Sequence, residues 1–176
     1  MYQPMNNQEK NTYVRNQILR ALLTLMQEQP FADISISALV STAQVGRASF
    51  YRNYKSKEDV LQQESVRLTD AWKAQFEQEH PDGTPQQGNE WLISLLDFYK
   101  EHAAFYLALY HAGLSDIVLE TILGYFDRTP ETPNALAYLN SAVGYMIYGW
   151  IQEWMRRGMQ ESGTELARML AESQKK

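Results

Sequence analysis

There is no cysteine among the 176 residues. That absence excludes disulfides, thiolate metal sites and a cysteine nucleophile together. Histidine is almost as scarce, and His80, His102 and His111 lack the spacing of a metal or catalytic motif. No glycine-rich phosphate loop and no Gly-x-Ser-x-Gly elbow occurs. An enzyme is therefore not expected, and no catalytic residue, metal or cofactor is assigned. No segment is long and apolar enough to span a bilayer. The N-terminus lacks the basic-then-apolar run of a signal peptide. A cytoplasmic protein with no membrane role is the expectation. Alternation of period two is missing as well, so no sheet is predicted.

What remains reads as helix almost throughout. The pattern predicts helices over Asn6 to Glu28, stopped by Pro30, and over Ser56 to about His80, stopped by the Pro- and Gly-rich 81–85. Asn89 to Tyr110 follows, with a break near His102, and then Ser115 to Arg128. Asn134 to Arg157 ends at Gly158, a residue suited to a helix C′ position. Ser162 and Glu165 form a capping box for a last helix, Gly163 to about Ser173.

The most informative stretch lies between Ser35 and Leu61. Ser35 stands where an N-cap belongs, and Ile36, Leu39, Val40 and Ala43 recur at helical spacing behind it. A second short helix starts near Gly46, with Val45 and Phe50 placed to pack on the first and small Ala43 and Ala48 allowing close approach. Ser56, with Asp59 three residues on, caps the long helix that follows. Two short helices and a tight turn make a helix-turn-helix. Its second helix carries Arg47, Ser49, Tyr51 and Arg52, groups suited to a DNA groove.

Residues 12 to 61 resemble the DNA-binding domain of TetR/AcrR-family transcriptional regulators. The resemblance rests on Ser35, Leu39, Ala43, Val45, Ala48, Ser49, Phe50, Tyr51, Tyr54, Ser56, Lys57, Glu58 and Leu61. Three positions depart from the family pattern. Gln44 stands at the usual turn glycine, Gly46 at the usual serine cap and Asn53 at the common histidine. Gln44 must then tolerate a left-handed backbone.

The resemblance implies an all-α fold: a three-helix DNA-binding head, residues 1–55, on a helical effector-binding and dimerisation body, residues 56–176. Arg47 is the candidate for base readout, because a guanidinium pairs bidentately with guanine. Ser49 and Arg52 reach bases or phosphates, and Tyr51, Asn53 and Lys57 reach phosphates by resemblance. Ser35, Ser37 and Thr42 are placed near the backbone from the preceding helix. The charge supports this polarity. Residues 1–60 hold seven Lys or Arg against five Asp or Glu, whereas residues 61–176 hold nine against sixteen. An acidic body behind a mildly basic head orients the protein on DNA.

In the helix from Asn134, Leu136, Leu139, Val143, Met146, Trp150 and Trp154 trace one stripe, and Tyr138, Tyr145, Ile147 and Tyr148 flank it. A helix apolar around most of its circumference must be buried on more than one side. With Leu166, Met169 and Leu170 of the last helix, this stripe is read as a homodimer interface. Aromatic residues crowd 91–126, and Trp91, His102, Tyr106, Tyr110 and Tyr145 are read as lining a pocket for a small apolar or aromatic effector. The expected function is a homodimeric repressor of a pseudo-palindromic double-stranded operator, released by that effector. The alternative is a TetR-like co-activator or ligand-sensing adaptor that acts mainly through another protein.

Overall fold

The computed structural model describes residues 6–81, 90–126 and 128–173. The stop expected at 82–85, the helix start at Asn89 and the tail 174–176 lie outside the described residues. Among the described residues there are helices and no strand. They are α1 (Asn7–Glu28), α2 (Ile36–Thr42), α3 (Arg47–Asn53), α4 (Lys57–Glu79), α5 (Glu90–Glu101), α6 (Ala103–His111), α7 (Asp116–Gly124), α8 (Asn134–Arg156) and α9 (Gly163–Ser173). A single 3-10 turn, Phe31–Asp33, links α1 to α2. No helix among the described residues is long and apolar enough to cross a membrane.

Two compact units result, Met1–Glu64 and Ser65–Lys176. The division falls inside α4 rather than at its start, because Val60 and Leu61 of the first turns are buried in the head. That head core is built from Ile18 and Leu22 of α1, Leu39 of α2, Phe50 of α3 and Leu61 of α4, all fully buried. Helices this short do not hold together alone, so packing on α1 is what stabilises α2 and α3.

Local chemistry sets the helix ends. Asn6 Oδ1 accepts from the Glu9 amide at 2.9 Å while Glu9 Oε2 accepts from the Asn6 amide at 2.7 Å, a reciprocal capping box. Ser162 and Glu165 cap α9 in the same way. Three helices close with the same pair of backbone bonds. At the end of α2, the Val45 amide reaches the Val40 carbonyl and the Gln44 amide reaches Ser41. Leu114 to Leu109 with Gly113 to Tyr110 repeats it after α6, and Met159 to Trp154 with Gly158 to Met155 after α8. The left-handed residue is Gly113 after α6 and Gln44, at φ 54°, after α2, while after α8 Gly158 is followed by a second left-handed residue, Met159, at φ 49°.

In the body, α5 packs along α9 and α7 along α8. Two close approaches need glycine. A Cβ on Gly163 would lie 2.6 Å from the Asp97 backbone nitrogen and 2.3 Å from its Oδ1. One on Gly144 would meet Leu123 at 2.6 Å. Lys100 of α5 donates to the carbonyls of Met159 and Gln160, holding the α8–α9 turn. The helix break expected near His102 is present, since His102 separates α5 from α6. α7 ends at Gly124, four residues short of the Arg128 expected.

The expected dimer stripe needs one correction. The inward face of α8 is Gly144, Ile147, Ile151, Trp154 and Met155. Trp154, read from sequence as interface, is 2% exposed and belongs to the core. A stripe stepping by three and four from Leu139 drifts about 60° by Trp154, at 3.6 residues per turn, and so turns into the protein. Leu139 (59% exposed), Met146 and Met169 face outward, while Val143, Trp150, Leu166 and Leu170 sit half-buried. Ala48, expected between α2 and α3, is exposed instead; Ala43 alone is buried there.

Candidate DNA-reading face and effector cavity

The exposed side of α3 follows from how the helix is anchored. Phe50 fills the head core, its ring edge-on to Tyr51 at 5.3 Å and tilted against Tyr54 at 5.9 Å. Tyr54 is buried beneath the Arg15 guanidinium of α1, 5.2 Å from its ring centre. With that side fixed inward, Arg47, Tyr51 and Arg52 are left in solvent. Tyr51 is 55% exposed, a large apolar ring for a surface position. Ser37 and Thr42 of α2 are exposed on the same unit.

Ser35, Asn53 and Lys57 of the expected DNA set have their side-chain polar atoms engaged within the head. Ser35 Oγ accepts from the Ala38 amide at 3.1 Å, so it is the N-cap of α2. Ser49 is half-buried, and its carbonyl takes the Asn53 Nδ2 hydrogen at 2.8 Å. The Asn53 amide is thereby turned back onto its own helix. Lys57, expected at the phosphates, is the clearest departure. Its ammonium donates to the carbonyls of Phe31, Ala32 (3.0 Å) and Ile34 (2.9 Å). It also sits 4.5 Å from the Phe31 ring centre. Three converging carbonyls satisfy the three ammonium hydrogens. Lys57 ties the start of α4 to the turn that precedes α2.

In the body, an apolar cavity of about 380 Å³ lies between α4, α5, α7 and α8. Its walls are mainly aromatic: Trp72, Phe76, Trp91, Tyr99, Tyr125 and Phe126, completed by Leu95, Ile122 and Ile147. Thr69, Lys73, Glu77 and His80 supply its polar groups. A second, more polar crevice lies across the same α4 side chains, lined by Trp72, Phe76 and His80 with Glu90, Asp97, Glu101 and His102. Trp72 Nε1 donates to Ser94 Oγ at 2.9 Å, which holds the shared wall in place.

The expected pocket set is only partly gathered here. Trp91 lines the apolar cavity and His102 the polar crevice. Tyr106 is fully buried in the core, and Tyr110 is half-buried and lines neither space. Tyr145 is 54% exposed on the outer face of α8, away from the cavity. What sequence reasoning missed is the contribution of α4. Trp72 and Phe76, four residues apart on one helical face, were the available signal.

Polar links fasten α4 to α7 beside the cavity. Ser65 and Thr121 share a buried hydrogen bond at 2.9 Å, and the Tyr125 hydroxyl donates to Asp70 at 2.6 Å. Burial, then the Asp70 carboxylate as hydrogen-bond partner, push the Tyr125 phenol well above its ordinary range. Tyr99 is likewise raised, first by burial and then by Tyr106.

Comparison with known proteins places both units. The bacterial regulatory proteins of the tetR family match residues 18–63, and a transcriptional regulator C-terminal region matches residues 86–176. Lin0861 from Listeria innocua has a similar structure, with a TM-score of 0.77 at 16% identity over 99% of this chain and 96% of that one. A protein of Syntrophomonas wolfei str. Goettingen, described as a TetR-family transcriptional regulator, has a TM-score of 0.61 at 14% identity over 94% of each chain. No curated protein sequence matches. At such identities the two structures share the fold, and the family matches carry the assignment. They are matches to regulatory domains rather than to catalytic ones. The chain belongs to the TetR family of bacterial transcriptional regulators, with a helix-turn-helix DNA-binding domain at its N-terminal end.

Proposed function

We infer that the protein is a homodimeric repressor that binds a pseudo-palindromic operator and releases it when a small apolar or aromatic compound enters the body. The observation that carries this is the open face of α3, where Arg47, Tyr51 and Arg52 stand in solvent on a helix anchored by Phe50. Such a helix suits a major groove, with Arg47 at base edges and Tyr51 and Arg52 beside it. One such helix makes few contacts, so two heads on a two-fold axis, with half-sites about 34–36 Å apart or a multiple of that, supply the specificity. Leu136, Tyr138, Leu139, Tyr145 and Met146 are the large apolar side chains exposed on α8, and Met169 is exposed on α9. They are the surface a second copy would cover.

The apolar cavity suits a planar aromatic effector, because its volume falls within the usual small-molecule range of about 300–1,000 Å³. An occupant would touch Thr69, Trp72 and Phe76 of α4, the helix whose first turns belong to the head. It shifts operator affinity only by as much as it prefers one arrangement of α4 over another. Selection of bound fragments from random duplex DNA, run beside Arg47→Ala and Tyr51→Ala, tests the reading. A two-fold site lost in both variants supports it. If the wild-type protein enriches no sequence, operator binding is wrong and an adaptor working through another protein takes its place.

A further inference from the structure

The residues read from the sequence as DNA contacts lie on α2, on α3 and at the start of α4. We propose that the first turns of α1 hold a DNA phosphate, with Lys10 as its charge and Arg52 of α3 completing the site; this rests on DNA binding through α3. A crevice runs between these two helices, lined by polar side chains that include Asn7, Lys10, Asn11, Ser49, Arg52 and Asn53 and by the apolar Val14. No carboxylate lines it. Glu9 lies on the other side of α1, lining a separate groove with Thr12, Tyr13 and Asn16. Asn7, Lys10, Asn11 and Arg52 are exposed. Among the described residues, neither the Lys10 ammonium nor the Arg52 guanidinium has an ion-pair or hydrogen-bond partner.

Two unpaired cations flanked by amide donors, with no acid between them, fit a phosphate oxyanion. The site does not depend on the α1 dipole, because Asn6 and Glu9 already occupy that helix end. Its place follows from α3. Ser49, Arg52 and Asn53 belong to the helix that enters the groove, so docking α3 carries the adjoining turn of α1 toward the flanking backbone. The geometry also divides the arginines, with Arg52 on the crevice and Arg47 a turn away, left for bases. It moves the phosphate role from Lys57, whose ammonium is closed in by carbonyls, to Lys10.

The test uses the full chain and a mixed-sequence DNA duplex of about two helical turns, with affinity measured by fluorescence anisotropy across a salt series. Each phosphate contact contributes about 0.9 to the slope of log affinity against log salt. Lys10→Gln should lower that slope by about one per bound protomer and weaken binding about fivefold at physiological salt, with an unchanged melting temperature. Lys57→Gln should leave the slope intact while lowering the melting temperature. A Lys10→Gln protein with wild-type slope and affinity overturns the phosphate site alone. A wild-type protein with no salt-dependent binding overturns both the site and the DNA-binding reading beneath it.

Discussion

At φ 54°, Gln44 holds a backbone conformation that costs an L-residue roughly 1–2 kcal/mol and glycine nothing. Glycine is also freer in the unfolded chain, which offsets part of that cost. Gln44→Gly should therefore stabilise the head by about 0.5–1 kcal/mol, read as a higher urea midpoint with unchanged slope. A lower midpoint would mean that the Gln44 side chain has a native role. This strain was legible in the sequence, because the chain must turn between two short apolar patterns and Gln44 occupies the turn. The caps at Ser35 and Ser162 were legible for the same reason, since their partners lie three residues away. Lys57 was not. Its carbonyl partners lie 23 to 26 positions upstream, and no local pattern announces a contact of that reach.

Apart from the end of α7, the ends of the described helices fall close to those expected, because capping and 3.6-residue periodicity are local signals. Their facing was harder. The stripe on α8 could be traced in sequence, yet which side turns inward depends on Gly144, which admits Leu123 and Phe126 of the neighbouring α7 segment. The α5–α9 contact is more demanding, because the Asp97 backbone nitrogen as well as its carboxylate opposes Gly163. Gly163→Ala should separate the two helices and lower stability by about 1–3 kcal/mol, an overpacking cost measurable by denaturant titration. Retention of the wild-type midpoint would show that α9 shifts freely. The last turn of α8 carries a different signature. Hydrogen bonds from Arg156 and Arg157 pull the Glu153 carboxyl from its ordinary 4.5 down to about 2. A depressed folded value favours the folded state above the ordinary pKa, and that contribution fades as pH falls from 4.5 toward 2. An NMR titration of the Glu153 carboxyl should find its midpoint near the lower value. In Arg157→Ala the midpoint should move upward.

For the whole molecule, the exposed apolar side chains of α8 matter most. A monomer that leaves Leu139 and Tyr138 at 59% and 75% exposure has surface that a second copy would cover. Leu139→Arg should shift sedimentation to the monomer mass and weaken operator binding, while the helical content stays constant. An unchanged dimer would place the interface elsewhere. The cavity was only half legible at this scale, because its walls come from four helices and periodicity reports each helix alone. Its composition has a practical consequence. The chain has four tryptophans, of which Trp72 and Trp91 line the apolar cavity while Trp154 is sealed in the core. A compound entering the cavity displaces water from two indoles at once and alters the polarity around the Trp72 N–H held by Ser94. The cavity thus carries an intrinsic fluorescent reporter, and a blue shift or quenching of its emission would identify a compound that enters it with no label attached.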